Sequence, residues 1–346
     1  MRLFFRRWIK RVAITVSILA IALVLIGAIY EQAARSQAAK DFPSPGRLVD
    51  IGGGRQIHLN CEGQGTPLVV LEAGADTSGS PLWQPVQEQV ARFTRVCSYD
   101  RAGIMWSDPA KGRRNSRAIA EDLHKALRAA NEQPPYVLVG ASMGGPYVMT
   151  FTKYYRKEVA GMVLVDASHP EQTARLAQAT GEPASDPIPF VFRALAATAW
   201  TGLPRLVLPD AEVPELPSQT AKAITAYQPT SLKAAFAEAA VFEDSLREAG
   251  TFRTLGNLPL VVLSRGKPWS AFSEAEQTAS GLTREQFNRA EAAWASMQAE
   301  EASWSTNSTH QILPDSSHVM QLERPDAVIA AIKNVIGKAA RADVIP

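Results

Sequence analysis

The chain reads as an α/β protein: a mostly parallel sheet flanked by helices, with an inserted helical cap and an N-terminal transmembrane helix. Three observations predict this. From about residue 47 onward, short apolar runs bounded by turn residues alternate with helix-periodic stretches, the pattern of parallel strands covered on both faces by helices. One of these runs, Tyr136-Val137-Leu138-Val139, leads into Gly140-Ala141-Ser142-Met143-Gly144, a serine between two glycines at a strand-to-helix junction. Finally, an uncharged run of 19 residues, 12–30, follows a basic amino terminus.

Taking the elements in order, Arg2, Arg6, Arg7, Lys10 and Arg11 precede the apolar run with no acid among them. A helix over that run is about 28 Å long, close to the ~30 Å hydrocarbon layer of a bilayer. Residues 1–30 therefore read as a signal anchor, with 31–45 as a polar linker. A cleavable signal peptide is the competing reading and would leave a secreted protein, but its apolar region is usually shorter and ends in a small-residue cleavage site that is not evident here. The basic flank would stay in the cytoplasm and send residues 46–346 across the membrane. Without those five bases the rest of the 346-residue chain, whose net charge is +2, becomes mildly acidic, so no electrostatic footprint for nucleic acid is expected. Apolar content of 46% against 20% charged fits a globular domain of full size.

Residues 47–60 read as two antiparallel strands around Gly52-Gly53-Gly54. Buried strands are expected at 68–72, 94–99, 136–139, 161–165, 260–264 and 311–313. Residues 116–130 place Ile119, Leu123 and Leu127 on one helical face, with Ser116 available as a cap, and Pro325 opens a last helix with a core stripe of Val328, Ile329, Ile332, Val335 and Ile336. Residues 171–253, rich in proline and alanine, with helical spacing at Leu232, Ala235, Phe236 and Ala239, fit the cap insertion. Residues 266–307 form a second interruption, helix-like over 284–301.

Ser142 is the candidate nucleophile. A tight turn would expose its hydroxyl beside the amino end of a helix, where backbone N–H groups stabilise a developing oxyanion. A glycine-rich turn without chemistry is the plain alternative. Such a serine needs a base. Of the five histidines, His58 and His124 precede the serine and read as solvated or structural. His169 lies just past a strand and could line a pocket, and His310 sits at the wrong end of the last strand. His318 follows that strand in a loop and is the candidate base.

These residues resemble the α/β-hydrolase fold superfamily from about residue 47 to the carboxy end. Besides the serine turn, Tyr99-Asp100-Arg101-Ala102-Gly103-Ile104-Met105-Trp106-Ser107 is similar to the family's loop after the fourth strand, with Met105 in place of its second glycine. Asp315-Ser316-Ser317-His318 followed by Glu323-Arg324-Pro325 is similar to the loop that presents its catalytic histidine. The resemblance implies the chain order serine, acid, histidine. The loop after the seventh strand, Ser264-Arg265-Gly266-Lys267-Pro268-Trp269, has no carboxylate. Other members take the acid from the end of the sixth strand, where Asp166 lies. Asp166 either orients the imidazole or caps the following turn, with Glu171 and Asp315 as weaker substitutes. By position, the oxyanion donors are the Ala75 and Met143 N–H groups. The spacing of Cys61 and Cys97 alone leaves two free thiols or a disulfide open. The family's topology sets the second strand beside the fourth and implies the disulfide.

The implied activity is hydrolysis of a carboxylic ester or related acyl bond through a Ser142–His318–Asp166 triad, with no metal or organic cofactor. Phe190, Phe192, Trp200, Tyr227 and Phe236 of the insertion suggest a small-molecule substrate with an apolar acyl or aromatic group, or else ordinary cap core. Acyl transfer or perhydrolysis in the same site, and an anchored binding protein without turnover, are the alternatives.

Overall fold

The computed structural model describes residues 2–183 and 190–342. Position 1 of the expected anchor, residues 184–189 of the expected cap and the carboxy-terminal 343–346 lie outside the described residues.

A single helix, α1 (Arg2–Asp41), carries the basic flank and the apolar run, and is long and apolar enough to cross a membrane. It does not stop at residue 30. The segment expected as a linker stays helical to Asp41, because nothing in Gln32-Ala33-Ala34-Arg35-Ser36-Gln37-Ala38-Ala39-Lys40 breaks a helix. Arg35 bonds back to Glu31 one turn earlier at 2.7 Å. Beyond it, the Phe42 carbonyl accepts from Trp106 Nε1 and the Tyr227 hydroxyl, tying the end of α1 to both body and cap.

The body is an eight-stranded sheet in the order β1-β2-β4-β3-β5-β6-β7-β8. The strands are β1 (Arg47–Asp50), β2 (Gln56–Glu62), β3 (Leu68–Glu72), β4 (Val96–Tyr99), β5 (Tyr136–Ala141), β6 (Val159–Val165), β7 (Leu260–Arg265) and β8 (Ser308–Leu313). β2 runs antiparallel to β1 and β4, and the remaining neighbours are parallel. Between β3 and β8 lie α2 (Gln84–Val90), α3 (Ser116–Ala129), α4 (Gly144–Tyr154), the cap helices α5 (Gln172–Thr180), α6 (Phe190–Ala197), α7 (Leu203–Val207), α8 (Ser218–Ala239) and α9 (Phe242–Gly250), then α10 (Glu274–Ala279) and α11 (Arg284–Ser303). The short α12 (Met320–Glu323) and the long α13 (Pro325–Ala342) follow β8.

The central strands are covered on both faces, which is why they read as continuous apolar runs rather than alternating ones. On one face Val70 and Leu138 pack with Leu123 and Leu127 of α3 and Val148 and Phe151 of α4. On the other, Val69 and Val139 pack with Val86 and Val90 of α2 and Val328, Ile332 and Val335 of α13. One local expectation changes. The cap of α3 is Asn115, whose side chain accepts the Ala118 N–H at 3.1 Å. Ser116 is already the first helical residue and sits buried against Ser245, and capping requires the extended backbone that Asn115 has.

The register of β2 and β4 sets Cys61 opposite Cys97, and the two are joined by a disulfide. The cross-link closes a loop between residues separated by 36 in sequence; restricting the unfolded chain that far contributes about 4 kcal/mol in the chain-entropy account. The double variant Cys61→Ser with Cys97→Ser is therefore expected to lose about 2–4 kcal/mol, read as a lower urea midpoint at unchanged slope. An unchanged midpoint, with both thiols alkylated in freshly trapped membranes, would mean that the cross-link does not form in the cell.

Candidate active site

Parallel strands align their carboxyl ends, and the ends of β3, β5, β6, β7 and β8 each deliver one part of the site. β5 stops at Ala141, level with Val165 of β6, so Ser142 and Asp166 emerge side by side. Ser142 turns sharply, at φ 51°, a left-handed conformation costly for a residue with a Cβ. The flanking glycines permit the turn. A Cβ at Gly140 would run into the Gly144 backbone, and one at Gly144 would meet the Glu72 carbonyl. The turn is held by the Ser142 N–H to the Val165 carbonyl at 3.1 Å and the Ser168 N–H to the Ser142 carbonyl at 2.9 Å. Asp166 is likewise left-handed, at φ 44°.

The imidazole of His318 lies between these two side chains. Its Nε2 is 2.9 Å from Ser142 Oγ and its Nδ1 is 2.6 Å from Asp166 Oδ2. The His318 loop is fixed by Glu323, which accepts from the Ser316 hydroxyl, the Ser317 N–H at 2.6 Å and the Ser317 hydroxyl. The His318 side chain keeps 45% of its surface open, whereas that of Asp166 is fully buried. Burial would push the Asp166 carboxyl up. The His318 hydrogen bond, the Arg265 charge and the Arg265 N–H outweigh it and hold the carboxyl below its ordinary value. Asp166 Oδ1 also accepts from Trp294 Nε1 at 2.8 Å, and Oδ2 from Arg265 Nη1 at 2.7 Å.

Arg265 and Trp294 were not among the expected site residues. Arg265 stands at the end of β7, where many members of the resembling family carry the acid; it supplies instead a cation clamped between Asp166 and Glu291 and stacked over Trp294. Its place in the loop Ser264–Trp269 is the signal the sequence carries. Trp294 on α11 gave none.

The loop after β3 carries the second expected oxyanion donor. Its Gly74 lies against Ser142, where an added Cβ would sit 3.1 Å from the serine Cβ. Ala75 follows Gly74 in that loop, and Met143 follows Ser142 at the start of α4. A buried cation braces this loop from below. Arg101 donates to the Ala73 carbonyl at 2.8 Å and the Gly74 carbonyl at 2.6 Å, and pairs with Glu72 of β3 and Glu238 of α8. Burial pushes the Glu72 carboxyl up to about 7, against the opposing pull of the Arg101 charge and the Tyr99 hydroxyl bond.

The other expected residues fall elsewhere. His169 is fully buried and does not line the site; its Nδ1 accepts the Glu171 N–H, and burial lowers its pKa to about 4. Glu171 pairs with Arg175 and Arg253, and Asp315 with Arg324. His58 is buried on Asp100, and His124 stacks on Tyr155. A cavity of about 480 Å³ opens beside His318, with Leu176, Phe272, Leu282 and Phe287 among its lining residues. Its apolar wall thus comes from α5 and the second interruption rather than from the aromatic residues expected. Phe190, Phe192 and Trp200 face outward, and Tyr227 packs on Trp106. Met105 fills the junction of body and cap with Ile104, Leu216 and Ile224, at φ 44° where the resembling family carries glycine, a backbone cost of about 1–3 kcal/mol.

A profile of the alpha/beta hydrolase family matches residues 69–331. An uncharacterized protein of Bacillus subtilis, YqjL, is 28% identical over 265 residues, covering 76% of this chain and 84% of its own. An uncharacterized vacuolar membrane protein of Saccharomyces cerevisiae is 28% identical over 140 residues, covering 36% of this chain and 22% of its own. Among solved structures, the enol-lactonase of Burkholderia xenovorans superposes with a TM-score of 0.57 at 18% identity, covering 84% of this chain and 99% of its own. A thermophilic esterase of Thermogutta terrifontis gives 0.54 at 19% identity, covering 84% and 97%. At these identities the superpositions show the fold alone.

Proposed function

The chain belongs to the alpha/beta hydrolase family, a membership that supports a hydrolytic activity, and from it we propose a membrane-anchored serine hydrolase that cleaves a carboxylic ester or related acyl bond. The observation that carries the reading is the continuous relay Ser142 Oγ–His318 Nε2 and His318 Nδ1–Asp166 Oδ2, at 2.9 and 2.6 Å. In this reading Ser142 Oγ attacks the acyl carbon while His318 Nε2 takes its proton. Asp166 holds Nδ1–H and the imidazolium charge, and the Ala75 and Met143 N–H groups receive the negative oxygen. The imidazolium then protonates the leaving alkoxide, and the acyl group rests on Ser142. Water, deprotonated by the same imidazole, attacks this ester; collapse frees the acid and restores the serine. The absence of a carboxylate after β7 is the main support for the alternative of a binding protein without turnover. Asp166, one strand away and charged, supports the catalytic reading instead.

In the same proposal residues 1–30 anchor the protein and residues 46–346 form the hydrolase domain, its cap spanning about 171–253. The basic amino terminus stays inside and the domain lies on the extracytoplasmic side, where a disulfide persists. The apolar cavity beside His318 suits an apolar acyl or aromatic group. The test is fluorophosphonate labelling of the full-length protein, followed by a panel of esters of increasing chain length, with water and added alcohol or peroxide as competing acceptors. Labelling at Ser142 with release of free acid is the expected result. An intact, folded protein left unlabelled would overturn the hydrolase reading in favour of binding, and dominance of the added acceptor would make it a transferase or perhydrolase.

A further inference from the structure

The cap exposes an apolar surface that neither the core nor the cavity beside His318 uses. Phe190, Val191, Trp200, Leu203, Leu206 and Val207 all face outward, Phe190 at 84% and Leu206 at 72% exposure. Large apolar side chains exposed together within one short segment mark a binding surface. Residues 190–209 contain two arginines and no acid.

The position of this surface identifies its occupant. It abuts α1 inside the uncharged run, not beyond it. A Cβ on Gly27 would strike the Thr201 carbonyl, and one on Gly202 would meet the Tyr30 ring. Gly27 lies about 4.5 Å along the helix axis from Tyr30, the last residue of the run. One residue further, Glu31 is buried and held by Arg205 Nε at 2.6 Å and Arg35 Nε at 2.7 Å. The arginine of α7 therefore clasps α1 where its apolar surface ends. If α1 spans a bilayer to Tyr30, the cap's exposed face sits at the depth of the headgroup and acyl boundary. Apolar faces with neighbouring arginines bury about 5–10 Å into that boundary.

We propose that residues 190–207 dock into the leaflet at which α1 leaves the membrane, holding the cap in the lipid interface. This rests on the reading of α1 as a membrane span. It is independent of the chemistry at Ser142. The docked surface places the cap among amphiphilic lipids rather than against a second protein.

The test uses the full-length protein in vesicles of phosphatidylcholine and phosphatidylglycerol. Leu206→Cys carries an environment-sensitive fluorophore, with Leu19→Cys and Lys157→Cys as separate labelled variants. Leu19 lies mid-span on α1, and Lys157 is exposed on the body. Nitroxides near the lipid headgroup are expected to quench the label at 206 by roughly two-fold or more, those deep in the acyl chains the label at 19, and neither the label at 157. Quenching at 19 without quenching at 206 would overturn the docking alone; a blue-shifted but unquenched label at 206 would assign the surface to protein contact. Loss of quenching at both 19 and 206 would overturn the span and the docking together.

Discussion

Ser142→Ala is expected to lower turnover of a short p-nitrophenyl ester by on the order of 10⁴-fold or more and to abolish fluorophosphonate labelling. The substitution removes only Oγ. The Ser142 backbone bonds to Val165 and Ser168 remain, and the left-handed φ of 51° is no harder for alanine than for serine, so the fold and its melting temperature should change little. The residual rate would report what the oxyanion donors and binding do without a nucleophile. Turnover within ten-fold of the parent, with the fold intact, would exclude Ser142 as the attacking group.

Asp166→Asn tests the other end of the relay. An amide keeps the shape but cannot accept from His318 with a full negative charge, so the imidazole is left in the wrong tautomer and the imidazolium unsupported. The expected fall in kcat is about 10⁴-fold, with KM changed far less. Arg265 also loses its partner on that side, keeping only Glu291, so some loss of stability should accompany the loss of rate; a thermal melt separates the two. Among the described residues, no other carboxylate hydrogen-bonds His318 to compensate. Glu171 and Asp315 are committed to arginines. Glu301 is fully buried, and burial, then the charges of Asp166 and Glu300, push its carboxyl well up. A loss of ten-fold or less would show that Asp166 is a structural cap of its turn.

The strands were legible because each is a short apolar run between turn residues, and the serine turn because Gly140 and Gly144 bracket it. The parts that escaped depend on tertiary approach. Arg265 reads from sequence only as a missing acid; its role exists because β6 and β7 are neighbours. Trp294 reaches Asp166 from the far end of a polar insertion, where one tryptophan among alanines has no periodic signature. The outward aromatics of residues 190–200 were placed inside because burial is the usual fate of such residues, and the adjacent helix that changes this is far away in sequence. The helix past Tyr30 was missed because polar composition suggested a linker, although those residues favour helix.

Arg101 fixes a mechanical consequence for the cap. Its guanidinium is shared between the carbonyls of Ala73 and Gly74 on one side and Glu238 of α8 on the other. Lifting α8 away would take Glu238 from this buried guanidinium and leave it paired with Glu72 on β3, so opening at this corner costs a buried ion pair. The lid is therefore pinned at that corner. The cavity beside His318 opens on a different flank, between α5 and the start of α11, away from the Arg101 pin.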